Sequence, residues 1–114
     1  MTAVIFEQAT IGRNENCIAL YKRDDETHDA DIFQFSDAAA FSTASDICDV
    51  LAENEYSDNE ICDGTVGNAP CLFLFEGYAS NTAKIFVFDN ERDLATACQM
   101  ATRFIEIDAD DSDE

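Results

Sequence analysis

The excess of acidic side chains is the feature that most limits what this chain can fold into. The sequence contains 25 Asp and Glu but only 6 Lys and Arg, which gives a formal net charge of −19. Residues 108–114 hold five of the acids, so 20 acids still stand against all 6 bases in residues 1–107. Like charges at this density repel one another, although salt screens the more distant pairs. Something else in the sequence must offset that destabilisation.

The apolar side chains are numerous enough to form a core. Hydrophobic residues make up 46% of the 114 residues, and nine Phe occur in short runs, which is not the composition of a disordered acidic peptide. We expect one acidic domain over residues 1–107 and a disordered acidic tail over residues 108–114. Neither a membrane span nor a signal peptide is evident, so the expected location is the cytoplasm.

The first half of the chain predicts three strands and a helix. Residues 3–7 and 16–22 flank a polar turn and predict a hairpin, and residues 31–35 predict a third strand. Ser36 is a suitable N-cap for a helix that runs to about residue 55. The apolar face of this helix is predicted to contain Ala40, Phe41, Ala44, Ile47, Cys48 and Leu51.

The second half predicts a long loop, a hairpin and another helix. Gly64, Gly67 and Pro70 place the loop at about residues 56–70. Residues 71–78 and 83–89 then predict two strands, whose consecutive apolar residues indicate either the middle of a sheet or a face that meets a partner. Asp89 or Asn90 is expected to cap the last helix. Its apolar stripe is predicted to contain Leu94, Ala97, Cys98, Ala101, Phe104 and Ile105.

The order βββαββα predicts an α+β fold. A mostly antiparallel sheet of about five strands is expected to carry two helices on one face. The sequence shows no convincing internal repeat, although each half contains a strand hairpin that leads into a helix.

Residue chemistry argues against an enzyme. His28 is the only histidine and lies in a charged loop, and the segment around Gly64 and Gly67 lacks the lysine of a phosphate-binding loop. The acidic clusters at 24–31 and 108–114 do not match a calcium-binding loop. We therefore expect no catalysis, no cofactor and no specific metal site. The five cysteines are expected to be reduced, although a bridge between Cys62 and Cys71 remains open.

The spacing of the acids suggests a binding surface. Asp46, Asp49 and Glu53 fall at i, i+3 and i+7 of the first helix and share one face over roughly 10 Å. Phosphates along one strand of duplex DNA are about 3.4 Å apart in axial rise, so the charge densities are of similar order. The expected partner-binding residues are Asp24, Asp25, Glu26, Asp29, Asp31, Asp46, Asp49, Glu53, Glu55 and Asp58.

Small size, high negative charge and the acid-edged segment SDICDVLAENE at residues 45–55 give the chain a class-level resemblance. In composition and layout it resembles the DNA-mimic inhibitors of bacteriophages and mobile elements, including several anti-CRISPR proteins. The resemblance implies an inhibitor that occupies the basic nucleic-acid-binding groove of a bacterial defence complex and blocks target DNA. It also implies that a phage-encoded protein would act in the host cytoplasm.

Other functions fit the same charge. A small domain adapted to high salt carries many acids for solubility and needs no partner. An immunity protein or antitoxin that neutralises a basic nuclease shares the electrostatics without imitating DNA. The sequence also leaves open a homodimer contact through the apolar strands. Direct binding of nucleic acid or of a membrane is not expected of so acidic a surface.

Overall fold

The elements of the chain are given by a computed structural model that describes residues 4–22, 30–53, 59–76 and 82–112. The first half of the chain forms strands β1 (Val4–Ile11), β2 (Asn14–Lys22) and β3 (Asp31–Gln34), followed by helix α1 (Ala38–Glu53). The second half forms strands β4 (Asn59–Val66), β5 (Ala69–Glu76) and β6 (Ala83–Val87), followed by helix α2 (Glu91–Ser112).

The strands form two separate sheets in the described residues. Sheet A has the order β1-β2-β3 and sheet B has the order β4-β5-β6, and every pairing is antiparallel. The predicted α+β class is therefore confirmed. The predicted single sheet of about five strands is wrong, because the structure has six strands divided between two sheets.

Strand β4 accounts for the sixth strand, and it occupies the segment that the sequence predicted to be a loop. The two glycines that indicated a loop serve the hairpin instead. A Cβ atom on Gly64 would lie 2.8 Å from Cε2 of Phe73, so this position accommodates the ring of the neighbouring strand. Gly67 has a φ of 63°, which suits a short turn between two antiparallel strands. Both glycines therefore support strand pairing.

The two halves of the chain repeat one βββα arrangement. Gly12 and Gly67 lie in the turns between the first two strands of each half, with φ values of 61° and 63°. After the third strand, the backbone N–H of Phe35 and that of Phe88 each donate to a carbonyl oxygen at the start of their own middle strand, both at 2.9 Å. The internal repeat that the sequence did not show is thus present in the fold.

The helix N-termini repeat as well. Asp37 Oδ1 accepts a hydrogen bond from the N–H of Ala40 at 2.8 Å, and Asn90 Oδ1 accepts one from the N–H of Asp93 at 2.8 Å. The predicted cap Asn90 is confirmed. The predicted cap Ser36 is wrong by one residue, because its hydroxyl donates to the Asp93 carboxylate and Asp37 provides the cap.

The core lies between the helices and the two sheets. Helix α2 packs against both sheets and against α1, and its Phe104 ring lies 6.1 Å from the Phe6 ring of β1. The predicted stripes of both helices face this core, although Phe41, Cys98 and Ile105 are only partly buried. The buried apolar side chains of the helices are Ala40, Ala44, Ile47, Cys48, Leu51, Leu94, Ala97, Met100, Ala101, Phe104 and Ile107.

Asp93 joins the two halves of the chain. This carboxylate is only 2% exposed and accepts hydrogen bonds from the Ser36 backbone N–H at 3.0 Å, from the Ser36 hydroxyl and from the Asn90 side-chain amide at 3.0 Å. Ser36 belongs to the first repeat and Asp93 to the second. Burial of a carboxylate is tolerable here because three donors replace its water.

Helix α2 extends to Ser112 and so includes five residues of the segment that the sequence assigned to a disordered tail. The segment contains neither Gly nor Pro, so nothing in the backbone stops the helix from continuing once it has formed. Its acids oppose the negative end of the helix macrodipole, since the last turn contains no basic residue.

We expect the substitution Asp93→Ala to lower the free energy of unfolding by about 2–4 kcal/mol, because it removes the buried carboxylate that accepts three hydrogen bonds from Ser36 and Asn90. Urea unfolding followed by circular dichroism measures this. The control Asp46→Ala removes the same charge from an exposed helix position and should change the stability by less than about 0.5 kcal/mol or increase it. Equal stability of the two variants would contradict a joining role for Asp93.

Candidate acidic interface

Helix α1 positions three carboxylates on the surface. Its buried stripe, which includes Ile47, Cys48 and Leu51, faces the core. Asp46, Asp49 and Glu53 are exposed, and their spacing puts them on a shared face over roughly 10 Å of helix. We call these three residues the α1 acidic face.

No positive charge compensates the α1 acidic face within the part of the chain that the structure describes. Helix α1 contains no Lys or Arg, and the ion pairs recorded in the described residues involve Arg103 instead. The three carboxylates are therefore exposed on one side of a helix that places no cation beside them. Such a face attracts cationic side chains and repels anions.

Asp31 differs from the α1 acidic face because its charge is paired. Its Oδ2 lies 2.7 Å from Nε of Arg103 in α2, and the hydrogen bond to Asp31 is the main cause that raises the pKa of Arg103 above its ordinary value. Arg103 also contacts Glu106 at 3.4 Å. The pair lies beside a groove of about 430 Å³ between β3 and α2. Asp31 is thus a less available partner-binding residue than the sequence indicated.

The remaining predicted partner-binding residues lie outside the described residues. Whether they extend the α1 acidic face stays a prediction. They are Asp24, Asp25, Glu26, Asp29, Glu55 and Asp58.

The structure adds a second acidic location that the sequence analysis did not single out. Asp63 of β4 and Glu91 of α2 line a groove of about 590 Å³ together with Arg92. The sequence predicted a loop at residues 56–70, and only the strand geometry of β4 brings Asp63 beside α2. The proximity of Asp63 to Glu91 could therefore not be predicted. The groove carries two acids and one base, so its charge is partly compensated.

Two of the thiols, those of Cys48 and Cys98, are poor nucleophiles in this fold. All five cysteines are free, so the bridge between Cys62 and Cys71 that the sequence left open is absent. Burial, followed by the charge of Asp49, raises the pKa of Cys48 to about 12. Burial is also the main cause that raises the pKa of Cys98, with smaller contributions from Asp63 and Cys62. A raised pKa reduces the thiolate fraction at neutral pH, and the thiolate is the reactive form.

Two further properties of the described residues concern metal ions and membranes. Across residues 4–22, 30–53, 59–76 and 82–112, no group of three or more His, Cys, Asp or Glu side chains could hold a metal ion. Neither described helix has a stretch that is long and apolar enough to cross a membrane.

Comparison with known proteins gives no relative. No family model, no curated protein and no solved structure matches the chain.

At neutral pH we expect a thiol-alkylating reagent to modify exposed Cys62 first and half-buried Cys98 more slowly. Cys17, Cys48 and Cys71 are buried and should react only after unfolding. Labelling of Cys98 should accelerate at a higher pH than that of an ordinary thiol, because its pKa is raised. Intact-mass spectrometry counts the adducts, and the Cys62→Ser variant identifies the first one. Rapid native labelling of Cys48 would contradict this order.

Proposed function

We propose that this protein is a DNA-mimic inhibitor that binds the basic nucleic-acid-binding groove of a bacterial defence complex of the CRISPR effector type. It acts by stoichiometric binding and not by catalysis. The α1 acidic face provides the leading contacts, and the predicted acids of residues 24–31, with Glu55 and Asp58, extend them.

The observation that carries the proposal is the uncompensated α1 acidic face. Three exposed carboxylates lie on one side of a rigid helix that has no basic residue. A groove that binds DNA holds Lys and Arg side chains with associated anions, and a polyanionic rod releases those anions as DNA does. A helix also fixes the carboxylate spacing before binding, so little conformational entropy is lost.

The uneven placement of the acids favours this proposal over adaptation to high salt. A halophilic surface should carry carboxylates on every side. In the described residues, the two rows Cys62–Phe73–Ile85 and Gly64–Cys71–Val87 of sheet B contain no acid, whereas α1 carries three exposed ones. An immunity protein or antitoxin remains the alternative that shares this asymmetry, and competition with DNA separates the two.

The experiment begins with capture from bacterial lysate at low salt on the immobilised protein, followed by elution with duplex oligonucleotide. We expect a nucleic-acid-binding protein to elute, because DNA and the inhibitor compete for one groove. Retention in the presence of excess oligonucleotide, with elution only by salt, would contradict mimicry and favour the immunity-type alternative. Affinity of the captured protein should fall steeply as salt rises.

The triple variant Asp46→Lys, Asp49→Lys and Glu53→Lys should weaken binding to the captured protein at least about tenfold, because like charges then meet in the groove. The matched control reverses three exposed acids away from both α1 and the outer sheet faces, Asp63→Lys, Asp89→Lys and Glu91→Lys, and changes the net charge equally. Binding isotherms measure both. Equal weakening by the control would mean that total charge, and not the α1 acidic face, determines binding.

A further inference from the structure

The outer face of sheet B is the surface opposite the core. Leu72, Leu74 and Phe86 point toward the core, so the residues that alternate with them point outward. The register places Cys62, Phe73 and Ile85 in one outer row and Gly64, Cys71 and Val87 in the next.

Large apolar side chains of this outer face are exposed, although Cys71 is buried. Ile85 is 49% exposed and Val87 is 52% exposed. The Phe73 ring lies over Gly64, where a Cβ atom would be 2.8 Å from it, and this flattens the surface between the strands. Large aliphatic side chains that remain half exposed in neighbouring positions mark a contact surface more often than scattered single residues do.

The outer face of sheet A also exposes apolar side chains. Ile32 is 43% exposed, and the register places it in a row with Ala19 and Glu7, beside the row of Ile5 and Tyr21. One acid of this group, Glu7, lies on edge strand β1; burial, followed by the hydrogen bond that Tyr21 donates to Glu7, raises the pKa of Tyr21. Glu7 therefore lies at the margin of this face, as does Glu15 near the start of β2, and Glu60 lies near the start of edge strand β4 on the outer face of sheet B.

Both outer faces lie on one side of the molecule. The principal dimensions are 44 × 42 × 16 Å. Two sheets on opposite sides of a helix layer would require about 20 Å between their backbones alone, since packed layers are about 10 Å apart. A thickness of 16 Å accommodates one layer of sheet and one layer of helix. The two sheets therefore present a shared broad surface, which we call the sheet surface.

We propose that the sheet surface binds the sheet surface of a second copy of this chain. The resulting dimer would be a sandwich of sheets, which is the usual way in which an apolar sheet face becomes buried. The proposal is independent of the proposed inhibitory function, because it concerns the side of the molecule opposite the core and the helices.

The size of the sheet surface matches a dimer contact. Strands of about seven residues and a spacing of about 4.8 Å give each three-stranded sheet a footprint of roughly 330 Å², and the two sheets together roughly 650 Å². A standard protein interface buries about 800 Å² on each partner, within about 200 Å². The two sheets together reach this range, whereas either sheet alone does not.

The distribution of charge favours a second copy over a different partner. Each copy carries a formal net charge of −19, so two copies can associate only where acids are sparse. Contact through the sheet surface places the two α1 acidic faces on opposite outer sides, separated by roughly twice the 16 Å thickness. That separation exceeds the Debye length of about 8 Å at physiological salt. A basic partner would bind the acids and leave the sheet surface uncovered.

Sedimentation equilibrium of the full chain tests this proposal. We expect a mass of twice 12.6 kDa and a dimer that strengthens as salt screens the repulsion between copies. The variant Ile85→Lys with Val87→Lys should raise the dimer dissociation constant at least about tenfold, because two charges are then buried. The variant also makes each copy less negative, which by itself should favour association. A change in net charge therefore cannot explain a weaker dimer.

The matched control Ser42→Lys with Gln99→Lys adds the same charge at exposed helix positions and should leave the dimer intact. Should the first variant fail to fold by circular dichroism, Ile85→Thr with Val87→Thr keeps the β-branched shape and should still weaken the dimer. A monomer at all salt concentrations would overturn the proposal, as would a dimer that the folded variants leave unchanged. Salt should strengthen the dimer and weaken binding of the inhibited protein, so the two contacts are distinguished by their response to salt. Either proposal can therefore fail while the other stands.

Discussion

Repulsion among carboxylates is the constraint on which the rest of the structure depends. A net charge of −19 on 114 residues opposes a compact state, so the chain needs dense apolar packing and a surface that separates its acids. Both helices contact both sheets, but α2 contributes most to this packing because it contacts all three strands of sheet A and strands β4 and β5 of sheet B, whereas α1 contacts β2 and β6. Among the described residues, Asp93 is the one acidic side chain that is buried. The three hydrogen bonds that its carboxylate accepts compensate for this burial and connect the two halves of the chain.

The sequence predicted the elements whose signal is periodic. Both helices were found from their apolar spacing, and their predicted stripes face the core apart from a few partly buried margins. Strand β4 was missed because Gly64 and Gly67 indicate loops unless the neighbouring ring and the turn are known. The internal repeat was missed because most matching positions differ in residue type, as Asp37 and Asn90 do, while hydrogen-bond geometry is kept.

For the candidate interface too, the sequence predicted what local helix geometry determines and missed what contacts between distant residues determine. Asp46, Asp49 and Glu53 could be placed on one exposed face because helix geometry alone determines their relation. Asp31 could not be judged in this way, since its partner Arg103 is 72 positions away in sequence. A count of acids therefore overestimates the charge that a partner meets, and ion pairs formed by the fold decide which carboxylates remain available.

The repeat also explains why the molecule has two different sides. In a βββα unit one helix covers one face of three strands, and the other face stays exposed. A second unit in the same chain adds a second exposed sheet face. The helix of that unit lies on the opposite side of the sheets and does not cover this face. One sheet has the footprint of an incidental contact, whereas two adjoining sheets approach that of a specific interface. The same duplication gathers the helices on the opposite side, where the α1 acidic face is exposed to a cationic surface, so the apolar and the acidic surface are consequences of one architecture.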